Sequence, residues 1–478
     1  MKKDATTEGI TAKKNEDMSE WYQQVVLKSD LADYAPIHGF MIIKPRAYAI
    51  WESIQEYFDP IIKKHGVKNA YFPLLIPESF FKKEAEHAEG FAPELAWIQR
   101  KDEKEERLAI RPTSETIMYD AFGKWIRSWR DLPLRINQWC NVLRWEVKQT
   151  KPFLRTREFL WQEGHCVYAT KEECDKEVKL FLDEYQKMLK NILAIPVIAG
   201  RKTEAEKFPG AHYTTTIEAF MPDGKALQCG TSHNLGQGFA KGFGISFKDE
   251  NEKDQLPWQS SWGFSTRLIG ALVMTHGDDK GLVLPPNITK EKIVIVPILF
   301  DKTKSATLKK AKEIEKTLKA YGAWVDDREQ YSVGWKFNEH ELHGIPLRIE
   351  LGPKDMEKKH VVIVRRDSGK KEFVLEKNLK IRIPEILEEM QNDMYSKAEK
   401  FLKENIIEVK TYAEFKKVID QRKIASAYFC GDKKMEEKIK EETGATSRCI
   451  PFDQKQSAGK CFYSDKPVTQ KVLFAKTY

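Results

Sequence analysis

Residues 138–165, QWCNVLRWEVKQTKPFLRTREFLWQEGH, constrain the fold of this chain more than any other stretch. Alternate residues of an extended strand share a face, so Arg144 and Glu146 are expected to project together, as are Arg157, Phe159, Trp161 and Glu163 further on. Lys148, Lys151 and Arg155 make a basic loop in which Pro152 is the turn signal, and the whole predicts an antiparallel hairpin. One face then carries cations, carboxylates and flat rings together. A planar base attached to phosphates needs that set: rings to stack on, guanidiniums to fork onto phosphate, carboxylates to accept from exocyclic amines. An amphipathic hairpin with a solvated charged face fits these residues equally well.

The chain of 478 residues is too long for one ordinary core and predicts two or three domains. With 41% hydrophobic and 32% charged residues and no apolar run of membrane-spanning length, it reads as globular, without a membrane partner. The N-terminal residues are polar and lack the apolar core of a signal peptide, so a cytoplasmic location is expected. Seven cysteines with no CxxC pair argue against a disulfide framework. A net charge of +8 permits a polyanionic partner without requiring one.

Residues 1–18 read as a tail. Ala47, Ile50, Trp51, Ile54, Phe58, Ile61 and Ile62 recur at helical spacing between Pro45 and Gly66, with Pro60 expected to kink or shorten the helix. A strand is expected over 69–75, confined to an edge by Pro73, and helix and strand together suit either a dimer interface or plain core. In RPTSET, 111–116, Thr113 or Ser114 can cap the next helix; Thr113 and Glu115 otherwise sit at the mouth of a pocket. An amphipathic helix spans 171–193, and LQCGTSHNLGQGF, 227–239, is a Gly-rich stretch that lets backbone approach a ligand. Arg267 falls in the first turn of a helix after Gly263, an unusual end for a cation unless an anion binds there. Residues 281–292 read as a linker. Beyond them strands and helices alternate as a small α/β domain with a mostly parallel sheet, and from about 385 a charged helix leads into a mixed segment.

These residues resemble class II aminoacyl-tRNA synthetases, and within them the prolyl enzymes of archaeal and eukaryote-like type. The likeness rests on the helix and Pro-ended strand of 39–73, the hairpin string LRWE at 143–146, the Arg267 helix, and the strings RPTSET, RTREFLWQEGH and GTSHNLGQ. It implies an α+β catalytic domain on an antiparallel sheet (19–285), an α/β anticodon-binding domain (286–385) and a small α+β C-terminal domain (386–478). It also implies activation of L-proline with ATP and Mg²⁺, transfer to tRNA(Pro), and a homodimer. Arg144 and Arg267 would be catalytic. Arg144, Glu146, Arg155, Phe159, Gln228, Thr231 and Arg267 would bind ATP, with Arg144 on the α-phosphate and Phe159 stacked on the base. Proline would be held by Phe91, Thr113, Glu115, Arg144, Trp161, Glu163, His165, His233, Ser261 and Gly263. Lys336, Arg348, Glu350 and Asp355 are candidates for reading anticodon bases, and Arg365 and Arg366 for backbone contacts; a surface ion pair is the other reading of each. Tyr478 would approach the active site. A binding paralogue without catalysis would be expected to lose clamp arginines, and all of them are present; no phosphate-loop or GxGxxG string occurs.

Two departures matter. About 64 residues separate Glu163 from Gln228, too few for the editing domain some relatives carry, so activation of alanine or cysteine is expected to go uncorrected in cis. Relatives hold zinc with four cysteines, whereas Cys430 is followed at the matching position by Met435 and Cys461 by Tyr463, so no structural zinc is expected.

Overall fold

In the computed structural model, which describes residues 9–85 and 94–478, two sheets organise the chain, one of eleven strands and one of five. The larger takes β1 (Lys68–Asn69), β2 (Leu134–Leu143), β3 (Glu158–Tyr168), β4 (Ile198–Arg201), β5 (Tyr213–Phe220), β6 (Lys225–Gly236) and β7 (Trp258–Ser265). The smaller takes β8 (Ile293–Pro297), β9 (Ala323–Val325), β10 (Leu347–Leu351), β11 (His360–Arg365) and β12 (Lys371–Leu375). β13 (Ile406–Val409), β14 (Ile424–Tyr428), β15 (Thr446–Pro451) and β16 (Lys471–Thr477) return to the first sheet, whose order is β13-β14-β16-β15-β4-β5-β6-β7-β3-β2-β1. The helices that matter below are α1 (Pro45–Lys64), α2 (Glu115–Trp125), α3 (Lys171–Asn191), α4 (Arg267–His276), α5 (Lys304–Leu318), α6 (Val333–Leu342) and α7 (Leu379–Glu404).

From β5 to β2 the sheet is antiparallel, as expected of the catalytic part. Its hydrophobic face is covered by α3, which starts at a capping box of Thr170 with Glu173 and buries Val178, Phe181, Leu182, Tyr185, Met188 and Leu189. Phe181 stacks on Trp262 of β7 at 3.8 Å. That indole occupies the place where a Cβ on the facing Gly164 would stand, 2.1 Å away, so glycine is the residue β3 needs there.

Several local expectations are corrected. Pro60 does not end α1, because it lies on the exposed side, where water can satisfy the carbonyl it leaves free. The strand expected over 69–75 is broken around Pro73 into β1 and a separate pairing at Leu75–Pro77. The smaller sheet is half parallel: β8 runs parallel to β9 and β10, while β11 and β12 are antiparallel. The supposed linker is core, with Leu282, Leu284 and Ile288 buried beside α4. The boundary drawn at 386 falls inside α7, whose first half packs on the five-stranded sheet while Leu402 packs between Phe220 and Leu473.

Candidate active site

The strand registers bring the expected residues into rows. Glu163 of β3 faces Gly263 of β7, which faces Thr231 of β6; one step along, His165, Ser261 and His233 form the next row. Thr113, Glu115, Arg144, Glu146, Phe159, Trp161, Gln228 and Arg267 join them around one cavity of about 340 Å³. Arg155 lines a smaller cavity beside it, of about 200 Å³, shared with Arg144, Glu146, Phe159, Arg267 and Tyr478. Phe91 lies outside the described residues.

Strand alternation accounts for Phe159, Trp161, Glu163 and His165, but not for Arg144 and Glu146. β2 ends at Leu143, so these two converge from a turn rather than from one strand face. Arg157 leaves the site altogether: its Nε donates to the Val147 carbonyl at 3.0 Å and its guanidinium lies 4.4 Å over the Trp145 ring.

At the nucleotide end, charge is uncompensated. Arg144 stands 5.5 Å over Phe159 and 5.9 Å over Trp161, and neither it nor Arg155 has an ion-pair partner among the described residues. Arg267, at the start of α4, donates from Nε to the Leu154 carbonyl at 3.0 Å and from Nη1 to the Gln228 carbonyl at 3.3 Å. Burial, with the charges of Arg144 and Arg155, brings its pKa down to about 10. Three guanidiniums crowded to that degree form a receptor for a multiply charged anion.

At the other end, charge is paired. Ser114 does not cap α2; its hydroxyl donates to Glu163 Oε1, to which Gln138 Nε2 also donates at 3.0 Å. Glu163 Oε2 lies 3.0 Å from His165 Nε2, and Tyr119 Oη lies 3.0 Å from His165 Nδ1. Burial would neutralise both members, yet their hydrogen bond and the Glu115 charge prevail, so Glu163 titrates low and His165 high. His233 is the opposite case: burial and the adjacent His165 charge press its pKa to about 3, leaving a neutral ring whose Nδ1 is 2.9 Å from Thr214 Oγ1. The Thr113 hydroxyl donates to the buried Glu115 carboxylate. This end can hold a small apolar body with one cationic nitrogen.

Sequence reasoning missed Ser114, Gln138 and Tyr119 as the support of Glu163 and His165; RPTSET and the first letter of the opening stretch contained two of them. Phe208 and Pro209, also on the cavity wall, carry no sequence signal of that kind.

The anticodon candidates lie in internal ion pairs. Lys336 Nζ donates to the Asp326 carbonyl at 3.0 Å, Arg348 lies 3.1 Å from Glu341 and Glu350, and Glu350 lies 3.2 Å from Lys371. Asp355 accepts from the Gly352 amide at 2.8 Å and lies 3.0 Å from His360. Arg365 bonds Asp367 and Asp393, and Arg366 bonds Asp278 at 2.6 Å, tying the module to the end of α4. Lys336, Arg348, Glu350, Arg365 and Arg366 are buried in these contacts rather than set in surface ion pairs, and Asp355 accepts from a backbone amide beside a histidine.

Among the described residues, neither the sulfur cluster nor the carboxylate cluster suits a structural zinc. Cys430 Sγ lies 3.8 Å from both Cys461 Sγ and Met435 Sδ, and Tyr463 packs on the Tyr412 ring. Two thiols and a thioether do not close the four-ligand tetrahedron of a structural zinc. Asp326, Glu339 and His340 come close together, but Arg328 bonds both carboxylates and supplies the cation.

Comparison with known proteins agrees with this geometry. Residues 97–276 match the tRNA synthetase class II core domain (G, H, P, S and T), 292–393 the anticodon binding domain, and 412–478 the C-terminal domain of prolyl-tRNA synthetase. A proline–tRNA ligase of Alkaliphilus oremlandii is 49% identical over 97% of this chain and 96% of its own. Those of Rubrobacter xylanophilus and Roseiflexus castenholzii are 51% and 50% identical, over 98% of this chain and 98% and 99% of theirs. The chain belongs to the prolyl-tRNA synthetase family of class II aminoacyl-tRNA synthetases.

Proposed function

We propose that this chain activates L-proline with ATP and passes the prolyl group to the 3′ end of tRNA(Pro). The observation that carries the reading is that Arg144 and Arg267, without a paired anion among the described residues, line both a cavity whose far end holds the Thr113–Glu115 pair and the His165–Glu163 pair and the smaller one beside it, where Arg155 joins them. ATP lies with its base on Phe159, its exocyclic amine toward Glu146, its α-phosphate on Arg144 and its outer phosphates between Arg155 and Arg267; Gln228 and Thr231 line the ribose side. Magnesium bound with the nucleotide would neutralise charge on its phosphates.

Proline places its secondary ammonium against Glu115 and Thr113 and its ring among Trp161, His165, His233, Ser261 and Gly263. A proline carboxylate oxygen attacks the α-phosphorus, the new P–O bond forms as the bond to the β-phosphate breaks, and pyrophosphate leaves. A ribose hydroxyl of tRNA then takes the prolyl group and AMP departs. No side chain of the cavity forms a covalent bond; the gain comes from position and from charge neutralisation. Arg144→Ala removes the α-phosphate donor, and a loss of about 3–4 kcal/mol in the transition state, roughly a hundred- to a thousandfold in rate, is expected. Proline-dependent pyrophosphate exchange measures it; near-normal exchange would refute the assignment.

The reading extends to a cytoplasmic homodimer. Its support is the hairpin ahead of α1, where Tyr34, Ile37 and Ile42 are exposed apolar side chains, with Tyr48 exposed on α1 itself. No helix among the described residues is long and apolar enough to cross a membrane.

A further inference from the structure

We infer that Arg448, on β15, is a positioning residue for the nucleotide half of the site, acting through the buried carboxylate of Glu218. The inference rests on the reading of Gln228 and Arg267 as ATP-binding groups.

Glu218 of β5 is 3% exposed, and both its oxygens are engaged. Lys202 Nζ and Thr216 Oγ1 donate to Oε1 at 2.7 and 2.8 Å; Arg448 Nη2 and Nε donate to Oε2 at 2.9 and 3.2 Å. Lys202 alone balances the carboxylate, so Arg448 is not there for neutrality. Arg448 puts two N–H groups on the one oxygen that Lys202 and Thr216 leave free, so the carboxylate is held from both ends in one orientation, which a single point charge does not do. Thr446 Oγ1 in turn accepts from Arg448 Nη1 at 2.9 Å and orients the fork.

The register carries this to the cavity. Glu218 stands opposite Gln228 on β6, so their side chains share a face, and at Gln228–Gly230 the pairing slips by a bulge. The Gln228 carbonyl at that bulge is one of the two that receive Arg267. The seam has no slack: a Cβ on Gly200 of β4 would stand 2.5 Å from the Ile450 carbonyl and 2.8 Å from Cys449 Cβ. Arg448 therefore sets Glu218, Glu218 backs the bulge, and the bulge seats the arginine that meets the outer phosphates.

The test is steady-state pyrophosphate exchange with the full chain, varying ATP and proline separately, alongside thermal unfolding. R448M is expected to raise the KM for ATP about tenfold while leaving that for proline unchanged, within the roughly hundredfold that a misplacement of about 1 Å costs. R448K should restore part of the loss, and T446V, which keeps every charge, should shift the ATP KM in the same direction by less. An unchanged ATP KM in T446V and R448M, or an equal rise in both KM values, overturns the inference and leaves Arg448 a structural residue. Should R448M not fold, T446V and R448K decide alone. Absence of proline-dependent exchange in the unsubstituted chain would overturn the functional reading, and this inference with it.

Discussion

Side chains two positions apart on β3 carry opposite assignments: Phe159 and Trp161 present rings, Glu163 and His165 a buried ion pair. Removing one member of such a pair strands the other. Glu163→Gln keeps the acceptor for Ser114 but takes away the charge that holds His165 protonated, and a stability loss of about 2 kcal/mol is expected in urea unfolding. Nuclear magnetic resonance titration should show the His165 pKa falling below the ordinary imidazole value, and the KM for proline should rise. A His165 titration unmoved by the substitution would show that Glu115, not Glu163, sets its charge. The sequence displayed these residues plainly because period two survives inside a strand buried on both faces. It misplaced Arg157 for the same reason: alternation does not announce where a strand begins, and Arg157 stands one residue before β3, bent onto Trp145.

For elements, the legible part was periodicity and the illegible part was what connects it. α3 was readable from its apolar stripe and its Thr170–Glu173 cap; the turn that swings Arg144 and Glu146 over the cavity was not, since its shape depends on contacts with Gly39 and α4 far away in sequence. The 281–292 segment looked like a linker because Pro285, Pro286 and Gly281 break any period, although its leucines are as buried as those of a helix. Packing between elements gives a sharp expectation at Gly164. A methyl group there meets the Trp262 indole, itself locked on Phe181, so Gly164→Ala should cost about 1–3 kcal/mol or more and push β3 from β7. Urea unfolding reads the loss, and a fall in exchange activity should accompany it, because the rows Glu163–Gly263 and His165–Ser261 span that same strand pair.

The whole molecule holds several histidines neutral. His233 has a pKa of about 3, and His276 and His343 of about 4, in each case chiefly through burial. A depressed value means that the unfolded chain takes up a proton the folded one refuses. Their contribution is therefore fully present above about pH 6.5 and is lost as pH falls toward 4, by about 1.4 kcal/mol per pH unit for each group. The urea midpoint should decline steeply from pH 6.5 to 4.5, and replacing His276 by Gln should flatten that slope by about one proton. The exposed apolar hairpin predicts a concentration-dependent dimer in sedimentation, which Ile42→Asp should dissociate.

The pairing of Lys225 with Lys476 and of Ala226 with Thr477 ties a strand at the middle of the chain to one about 250 residues later. During synthesis, β6 emerges long before the strand that will lie beside its first residues, so Lys225 and Ala226 wait with one side unpaired while the entire α/β module is translated and folds. Closure of so long a loop is slow, and the exposed edge is a place where a chaperone, or another copy of the nascent chain, can bind first. The residues that line the larger cavity all precede the α/β module in the chain, whereas Tyr478, on the wall of the smaller one, is placed only when the last strand closes the sheet.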